Sequence, residues 1–464
     1  MLDLRSLKSE IASTSPSGTS CEVRFQENKN IRISMLNGQL MTNSQDVSRG
    51  VSARAFAGGY WGFSSQSVAS LETARKALRD ARRNASFLQQ RAPRNGGLVG
   101  VSQTSSDKLY ASRVNPVPSG VWIELVKSVD ALIAKRYPDL KARSVSLMSL
   151  HMKKQMVTSS DGFLSSMVPR SHLFVAMTKD SPHGPIQHRE IRGGLGELQD
   201  LFLIRPDSLE GWLDEIYART SRKAEGVLPE SGVHDVILDS DLAGVLAHEA
   251  VGHTAEADLV LGGSVAGDNL GNVVASPLVS LVDFAHTYRG TVCPQPVHVD
   301  DEGVSATDTV IIDKGVLKTF MHNRETAEHF KQKATGHARA FTFADEPLIR
   351  MRNTAILPGK SKLEEMIASI DNGYYLMKSG NGQADTTGEF MFATGTGYEI
   401  KNGKLGRALR DSTISGVAFD MLRSVSMISD EFTWESAGYC GKKQPMPVGM
   451  GGPSIKARVH VGGR

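Results

Sequence analysis

At 464 residues the chain is long enough for two or three domains, and its 53 basic and 50 acidic residues leave a formal net charge of only +3. This balance argues against a nucleic-acid-binding surface, and no stretch approaches the roughly twenty apolar residues that a membrane-spanning helix needs. The first ten residues lack the apolar core of a signal peptide, and three cysteines without paired spacing indicate a reducing compartment, so we expect a cytoplasmic protein.

The first half of the chain predicts a mixed α+β region. Residues 22–63 alternate apolar and polar side chains around Asn37-Gly38, a dipeptide that favours a tight hairpin turn. Residues 144–157 show the same strand-like pattern. A loop is expected at residues 92–97. Apolar residues at helical spacing predict three helices, over residues 71–90, 120–136 and 210–223.

The second half of the chain is richer in glycine and in predicted strands. Residues 227–232 predict a linker, so we expect an N-terminal α+β domain over residues 1–226 and a second domain over residues 227–464. Gly-rich strands predominate between residues 291 and 400, and short helices are expected over residues 360–370 and 419–425. The fold class is therefore α+β, with a mainly antiparallel, barrel-like or sandwich-like C-terminal domain.

An antiparallel sheet can bind an extended peptide as an added strand, through main-chain hydrogen bonds that discriminate little between side chains. Candidate peptide-binding residues are Gly380, Gly382, Thr394 and Gly395, which lie in glycine-rich strand segments. Ordinary turn and bulge glycines would explain these segments equally well.

Residues 246–253 place His248, Glu249 and His253 within six positions. Neutral histidines are common zinc ligands, and a neighbouring glutamate can take a proton from a water that the metal activates. The spacing is His-Glu-x-x-x-His, one residue longer than in the familiar zinc-protease helix. Residues five positions apart differ by about 140° around a regular α-helix, so the two rings cannot share an ion there. A π-bulge, which Gly252 would ease, would bring them onto one face.

The surrounding sequence suits a rigid site. Residues 236–238 predict a short buried strand, and Asp239, Ser240 and Asp241 are residue types that begin helices. The apolar run over residues 242–247 then leads into the motif. The motif is either a chance match or a strained metal site.

Catalytic zinc usually has three protein ligands and one open position, so a third ligand is needed. The candidates carry a carboxylate or a thiol: Glu256, Asp258, Cys21, Cys293 and Cys440. Cys440 stands out because glycines on both sides predict a flexible turn in which backbone can approach an ion closely. A single cysteine is more often a small buried apolar residue, and spacing alone leaves the third ligand open.

Residues 248–258 resemble the signature helix of the TldD/PmbA family, whose members were once labelled modulators of DNA gyrase. The resemblance covers nearly the whole chain and extends through ordered blocks: residues 50–54, 61–65, 300–303, 313–318, 350–354, 357–361, 382–385, 440–442 and 461–463. One branch of the family keeps the His-Glu-x-x-x-His motif and the other has lost it. This chain resembles the first branch.

The resemblance implies a zinc metallopeptidase that cleaves unfolded or flexible peptides, with one zinc ion per chain. It implies that His248, His253 and Cys440 are the ligands and that Glu249 is the general base. Glu256 and Asp258 match acidic positions of the family and could orient a ligand.

The resemblance also implies a dimer, formed either by two identical chains or with a motif-less paralogue of the TldE/PmbA type. We expect the N-terminal domain to contribute the substrate cleft and the dimerisation surface, and the C-terminal domain to carry the metal-binding helix.

Two other functions stay open. Cys440 could be the nucleophile of a cysteine hydrolase, which would require a free thiol activated by a histidine. Alternatively, the chain could be a non-catalytic or partner-dependent subunit of a heterodimeric protease. Chelation separates the first alternative from a zinc enzyme, because a thiol enzyme survives metal removal.

A second acidic cluster, Asp300, Asp301 and Glu302, offers oxygen ligands that could bind a cation. Such clusters more often cap turns or pair with basic residues, and Arg289 and Arg339 are candidate partners. The sequence leaves the role of this cluster open.

Overall fold

A computed structural model of the chain describes residues 3–14, 19–92, 96–100 and 104–463. The loop expected at residues 92–97 lies partly outside the described residues. None of the described helices is long and apolar enough to cross a membrane.

A seven-stranded, mostly antiparallel sheet forms the framework of the N-terminal half. Its order is β3-β2-β1-β5-β6, and both β4 and β7 pair with β6. The strands are β1 (Ser20–Leu36), β2 (Gln39–Ala57), β3 (Tyr60–Gln66), β4 (Ser105–Leu109), β5 (Ala142–Thr158), β6 (Phe163–Lys179) and β7 (Ile186–Leu195).

Helices cover one face of this sheet. They are α1 (Lys8–Thr14), α2 (Leu71–Arg91), α3 (Ser119–Arg136), α4 (Leu198–Leu201) and α5 (Glu210–Ala224), with 3-10 turns at Leu4–Leu7 and Pro206–Leu209. Alternate residues of β1, such as Val23 and Ile33, point towards the helices and are buried. The intervening residues, such as Arg24, form the opposite face, which contacts the C-terminal half.

The C-terminal half contains the remaining strands. These are β8 (Gly232–Leu238), β9 (Leu281–Phe284), β10 (Thr287–Tyr288), β11 (Thr291–Val292), β12 (Thr309–Asp313), β13 (Val316–Leu317), β14 (Ala338–Arg339), β15 (Leu348–Ile349), β16 (Asn353–Ile356), β17 (Asn372–Ala384), β18 (Glu389–Lys401), β19 (Lys404–Ala408), β20 (Ser412–Val417), β21 (Met427–Ile428), β22 (Thr433–Cys440), β23 (Met446–Gly452) and β24 (Ile455–Gly463).

Its helices are short. They are α6 (Ser240–Leu246), α7 (Ala257–Leu261), α8 (Arg324–Phe330), α9 (Leu363–Ala368) and α10 (Ala418–Arg423), with a π-helical turn at Ala247–Gly252 and 3-10 turns at His253–Ala255 and Gly267–Asn269.

Two sheets organise these strands. One runs β17-β8-β24-β20-β18 and closes into a barrel because β17 also pairs with β18. The other runs β13-β12-β9-β16-β23-β22 and is mixed, since β16 and β23 are parallel. Helix α6 contacts strands of both sheets and lies in the largest apolar core. The predicted α+β class with a barrel-like, mainly antiparallel C-terminal half is confirmed.

The acidic cluster at residues 300–302 connects the two halves. Glu302 accepts a hydrogen bond from Arg54 at 2.8 Å, and Asp301 accepts one from Lys154 at 2.5 Å. Asp300 accepts backbone N–H groups at its own turn and from Ala338. The cluster therefore pairs with basic side chains of the N-terminal sheet.

The structure therefore agrees with the interpretation that the cluster caps a turn and pairs with basic residues, but among the described residues its ion pairs are not with the two candidates Arg289 and Arg339. Arg339 instead donates to the carbonyls of Met351 and Pro447. The sequence could not reveal the true partners, because they lie on strands of the other half of the molecule.

Candidate metal centre

A capped helix follows directly from a buried strand, as predicted. Strand β8 ends at Leu238, and the Asp239 carboxylate accepts the backbone N–H of Leu242 at 2.9 Å, which caps α6. The helix is closely packed: a Cβ built on Gly244 would lie 2.8 Å from the backbone nitrogen of Gly451 in β23. This contact fixes the helix against the sheet that carries Cys440.

The helix continues into the π-helical turn at Ala247–Gly252, and the N–H of His253 donates to the carbonyl of His248, five residues back. The expected π-bulge is confirmed. The extra residue in this turn brings the two imidazoles onto one side, with ring centroids 5.3 Å apart.

Close packing, and not backbone freedom, favours glycine at position 252. Its φ is −56°, an ordinary helical value that any residue adopts. A Cβ at this position would lie 2.0 Å from Sδ of the buried Met351. The expectation that Gly252 eases the bulge was therefore right about the position and wrong about the reason.

Cys440 is the last residue of strand β22 and pairs with Met446 of β23. The flexible turn expected at this position was wrong, because strand pairing fixes the backbone. In addition, the Cys440 carbonyl accepts a hydrogen bond from the buried Arg350 guanidinium at 2.7 Å. The other two cysteines, Cys21 and Cys293, are buried and free.

The structure brings His248, His253 and Cys440 together. One ligand atom from each residue lies within 4.8 Å of the others, and Cys440 Sγ is 3.3 Å from His253 Nε2. His248 is fully buried, yet neither of its ring nitrogens has a hydrogen-bond partner within the part of the chain that the structure describes. A buried imidazole without partners is costly unless another group satisfies it. Two nitrogens and a thiolate suit zinc, so the residues fit a metal ion.

The electrostatics favour the thiolate form of Cys440. Burial raises the pKa of the thiol, but the neighbouring imidazoles of His248 and His253 outweigh burial and lower it to about 3. For His253 the effect of burial has the opposite sign and lowers the pKa. Glu256 and Cys440 outweigh it and raise the pKa of His253 well above its usual value. A proton on His253 Nε2 would therefore hold the position facing Cys440 that a metal ion would take.

Glu256 and Asp258 lie beside the three candidate ligands. Glu256 is fully buried and accepts the His253 Nδ1–H at 2.8 Å, so the other ring nitrogen faces Cys440. Asp258 is half-buried and does not contact a candidate ligand directly. It pairs instead with Lys442 at 2.8 Å.

Glu249 lines a cleft of about 420 Å³ between the two halves of the molecule. One of its oxygens is 3.6 Å from His253 Nε2. Strand β7 forms one wall of the cleft, and β17 and β22 form the others. The carboxylate is therefore open to a molecule in the cleft while it remains next to the candidate ligands.

Two of the predicted peptide-binding residues, Gly380 and Gly382, line this cleft. Thr394 is buried and hydrogen-bonds the Ser412 hydroxyl at 2.5 Å, and Gly395 packs behind Lys378. Neither lines the cleft. Their placement supports the alternative that they serve the barrel itself.

The sequence did not single out the side chains that hold the site in place. Arg350 donates to the backbone beside Cys440, and Lys442 contacts Glu256 at 3.2 Å. Glu190 and Lys378, which lie 3.7 Å apart in the cleft, were also missed. Two signals were available: Arg350 is a charged residue between the apolar Ile349 and Met351, and both Arg350 and Lys442 lie in blocks that resemble the family, although neither was given a role.

Comparisons with known proteins identify the family of this chain. A family profile described as PmbA/TldA metallopeptidase C-terminal domain matches residues 231–463, and one described as domain 1 matches residues 21–85. A metalloprotease of Methanocaldococcus jannaschii is 32% identical over 96% of this chain and 97% of its own. A zinc metalloprotease TldD homolog of Saccharolobus solfataricus is 32% identical over 70% of this chain and 72% of its own.

Solved structures share the fold. A Thermotoga maritima protein described as a candidate modulator of a DNA gyrase superposes with a TM-score of 0.79 at 20% identity, covering 99% of this chain and 100% of its own. TldE from Thermococcus kodakarensis gives a TM-score of 0.74 at 16% identity, with the same coverage.

Proposed function

The chain belongs to the PmbA/TldD metallopeptidase family, and we propose that it is a zinc-dependent peptidase in which His248, His253 and Cys440 bind one zinc ion and Glu249 is the general base. The observation that carries the proposal is the convergence of these three side chains, one of which is a fully buried imidazole with no hydrogen-bond partner among the described residues.

The donor set defines the chemistry that the ion would supply. A zinc ion held by two imidazoles and one thiolate would polarise the scissile carbonyl and lower the pKa of a water molecule. The thiolate donates more charge than an imidazole would, so that water remains less acidic than in an all-histidine site. The proton acceptor therefore matters more in this site.

Glu249 is placed to accept that proton. Its carboxylate faces the cleft and lies next to His253. It can take a proton from a water in the cleft and pass it to the amine that leaves when the peptide bond breaks. Glu256 holds His253 through the Nδ1–H, which leaves Nε2 free to bind the metal.

The substrates we propose are unfolded or flexible peptides. The cleft lies between a sheet and a barrel, and Gly380 and Gly382 of β17 expose backbone along its wall. An extended chain can bind such a wall through main-chain hydrogen bonds. These features support a site that selects an extended backbone and discriminates little between substrate side chains.

We further propose that the chain acts as a dimer, with a second copy or with a motif-less TldE-type partner. Support comes from the family resemblance and from the shared fold of the T. kodakarensis TldE. The proposal leaves open whether a partner is needed for activity.

A cysteine hydrolase is the second candidate, because Cys440 Sγ and His253 Nε2 are 3.3 Å apart and the thiol pKa is low. Against it, Cys440 is fully buried, and a nucleophile must reach its substrate. A catalytic dyad of Cys440 and His253 would also give no role to His248, whose ring nitrogens have no hydrogen-bond partner among the described residues.

Metal removal tests the proposal. Purified full-length chain should contain about one zinc ion and cleave an unstructured peptide. Treatment with a chelator should abolish cleavage, and added zinc should restore it. Activity that survives full metal removal and is blocked by a thiol-alkylating reagent would instead support the cysteine hydrolase.

A further inference from the structure

Lys442 connects the two chain segments that carry the candidate ligands. Its ammonium group lies 2.8 Å from the Asp258 carboxylate and 3.2 Å from Glu256 Oε2, and it donates to the Ile349 carbonyl at 3.0 Å. Lys442 is two residues beyond Cys440, while Glu256 is three residues beyond His253.

Glu256 is the contact that matters most. The Glu256 oxygen that faces Lys442 also accepts the His253 Nδ1–H at 2.8 Å, and the other Glu256 oxygen has no hydrogen-bond partner in the described ranges of the chain. The side chain is fully buried. A buried carboxylate is costly unless a cation or several donors compensate its charge.

Metal binding would remove the positive charge of His253, which otherwise compensates the Glu256 carboxylate. A histidine that binds zinc through Nε2 is neutral, so it offers Glu256 only a neutral N–H group. Lys442 is then the cation that contacts the buried Glu256 carboxylate among the described residues. Its side chain is only 10% exposed, so water screens the pair weakly.

A second buried cation, Arg350, holds the segment that carries Cys440 and Lys442. Arg350 follows Ile349 and donates to the carbonyls of Cys440 and Gln444 at 2.7 and 2.8 Å. The segments at residues 256–258, 349–350 and 440–444 therefore form one connected unit. Lys442 is the side chain of that unit that contacts the carboxylate holding His253.

We propose that Lys442 is a positioning residue for the metal: through Glu256 it fixes the orientation of His253, and it holds this histidine in register with Cys440. The proposal rests on the proposed zinc site. It predicts that loss of the ammonium weakens metal binding and alters the coordination geometry without removing a ligand.

The test compares Lys442→Met, Lys442→Arg and the control Lys443→Met in the full-length chain. Lys443 is exposed and adjacent in sequence. Zinc affinity is measured by competition with a chromophoric chelator, and the absorption spectrum of the cobalt(II)-loaded chain reports thiolate ligation and tetrahedral geometry.

We expect Lys442→Met to weaken zinc binding by about 10- to 100-fold, the usual effect of removing a group that orients a ligand. The cobalt bands should shift or lose intensity, Lys442→Arg should recover part of the affinity, and Lys443→Met should match the unaltered chain. In a Glu256→Gln background, Lys442→Met should have little further effect, because the two residues act in series.

Unchanged zinc affinity and an unchanged cobalt spectrum for Lys442→Met would overturn the proposal. It would also be overturned if metal-free Lys442→Met melted far below the metal-free unaltered chain, since Lys442 would then be needed for folding. If the unaltered chain bound no zinc, the proposed function itself would fail, and this outcome is distinct from both.

Discussion

Glu249 is the residue whose position separates metal binding from catalysis. It lies between the two histidines in sequence, but its carboxylate faces the cleft rather than joining the group of candidate ligands. A side chain placed in this way can be altered without removing a ligand.

Glu249→Gln should therefore keep zinc and lose cleavage. The amide cannot accept a proton, and general-base catalysis contributes about 10²- to 10⁴-fold, so turnover should fall by at least about 100-fold. Metal content and turnover of an unstructured peptide are measured together. Glu364→Gln, at an exposed position in α9, should leave both unchanged. Wild-type turnover in Glu249→Gln would show that another group is the base.

The residues of the site differ in how far the sequence predicted them. His248, Glu249 and His253 are close in sequence, so their spacing alone raised the question of a π-bulge. Cys440 lies 187 residues from His253, and only the family resemblance selected it. Lys442 and Arg350 were missed because their contacts depend on how distant strands pair, which local patterns do not encode.

The π-helical turn at Ala247–Gly252 is the element on which the site depends. If the same residues formed a regular α-helix instead, the two imidazoles, five positions apart, would point about 140° apart. Gly252 allows the turn to pack against Met351, and this packing has a direct test.

Gly252→Ala should destabilise the chain by about 1–3 kcal/mol, because the added methyl group overlaps the buried Met351 sulfur. Zinc affinity should fall as well, since the displaced turn moves His253. The double variant Gly252→Ala/Met351→Ala, which opens space for the methyl group, should recover part of the zinc affinity. Equal zinc affinity in Gly252→Ala and the unaltered chain would show that the turn tolerates displacement.

At the scale of elements, local patterns predicted the individual helices and hairpins well. Helix α2 and the β1–β2 hairpin follow the expected boundaries closely, because capping residues and the Asn37-Gly38 turn specify them locally. The pairing of β8 with β24 and β17, which closes the barrel, joins segments far apart in sequence. Periodicity says which residues form strands and not which strands pair. The domain boundary at residue 226 stays a prediction.

Across the whole molecule, buried ion pairs join the N-terminal sheet to the C-terminal half. Arg54 on β2 contacts Glu302 at 2.8 Å, and Lys154 on β5 contacts Asp301 at 2.5 Å. The cleft lies between these same halves. The ion pairs therefore stabilise the contact between the two halves of the molecule.

Glu302→Gln should destabilise the chain by about 3 kcal/mol, because it leaves Arg54 buried with weaker partners. The double variant Arg54→Met/Glu302→Gln should lose less than the sum of the two single changes, since it removes both charges of this pair together. Urea unfolding measures the free energy of unfolding of the single variants and of the double variant. Glu124→Gln, which removes an exposed pair with Lys127, should change stability by less than about 0.5 kcal/mol. Strict additivity would mean that the pair does not couple the halves.

The central claim is that a π-helical turn and a distant strand together hold one metal ion. A crystal structure of the zinc-loaded chain, with anomalous data collected at the zinc edge, tests this claim most directly. The account predicts one strong peak per chain, about 2.0–2.1 Å from a ring nitrogen of His248 and of His253 and about 2.3 Å from Cys440 Sγ. A zinc peak elsewhere, or coordination that leaves out Cys440, would contradict it.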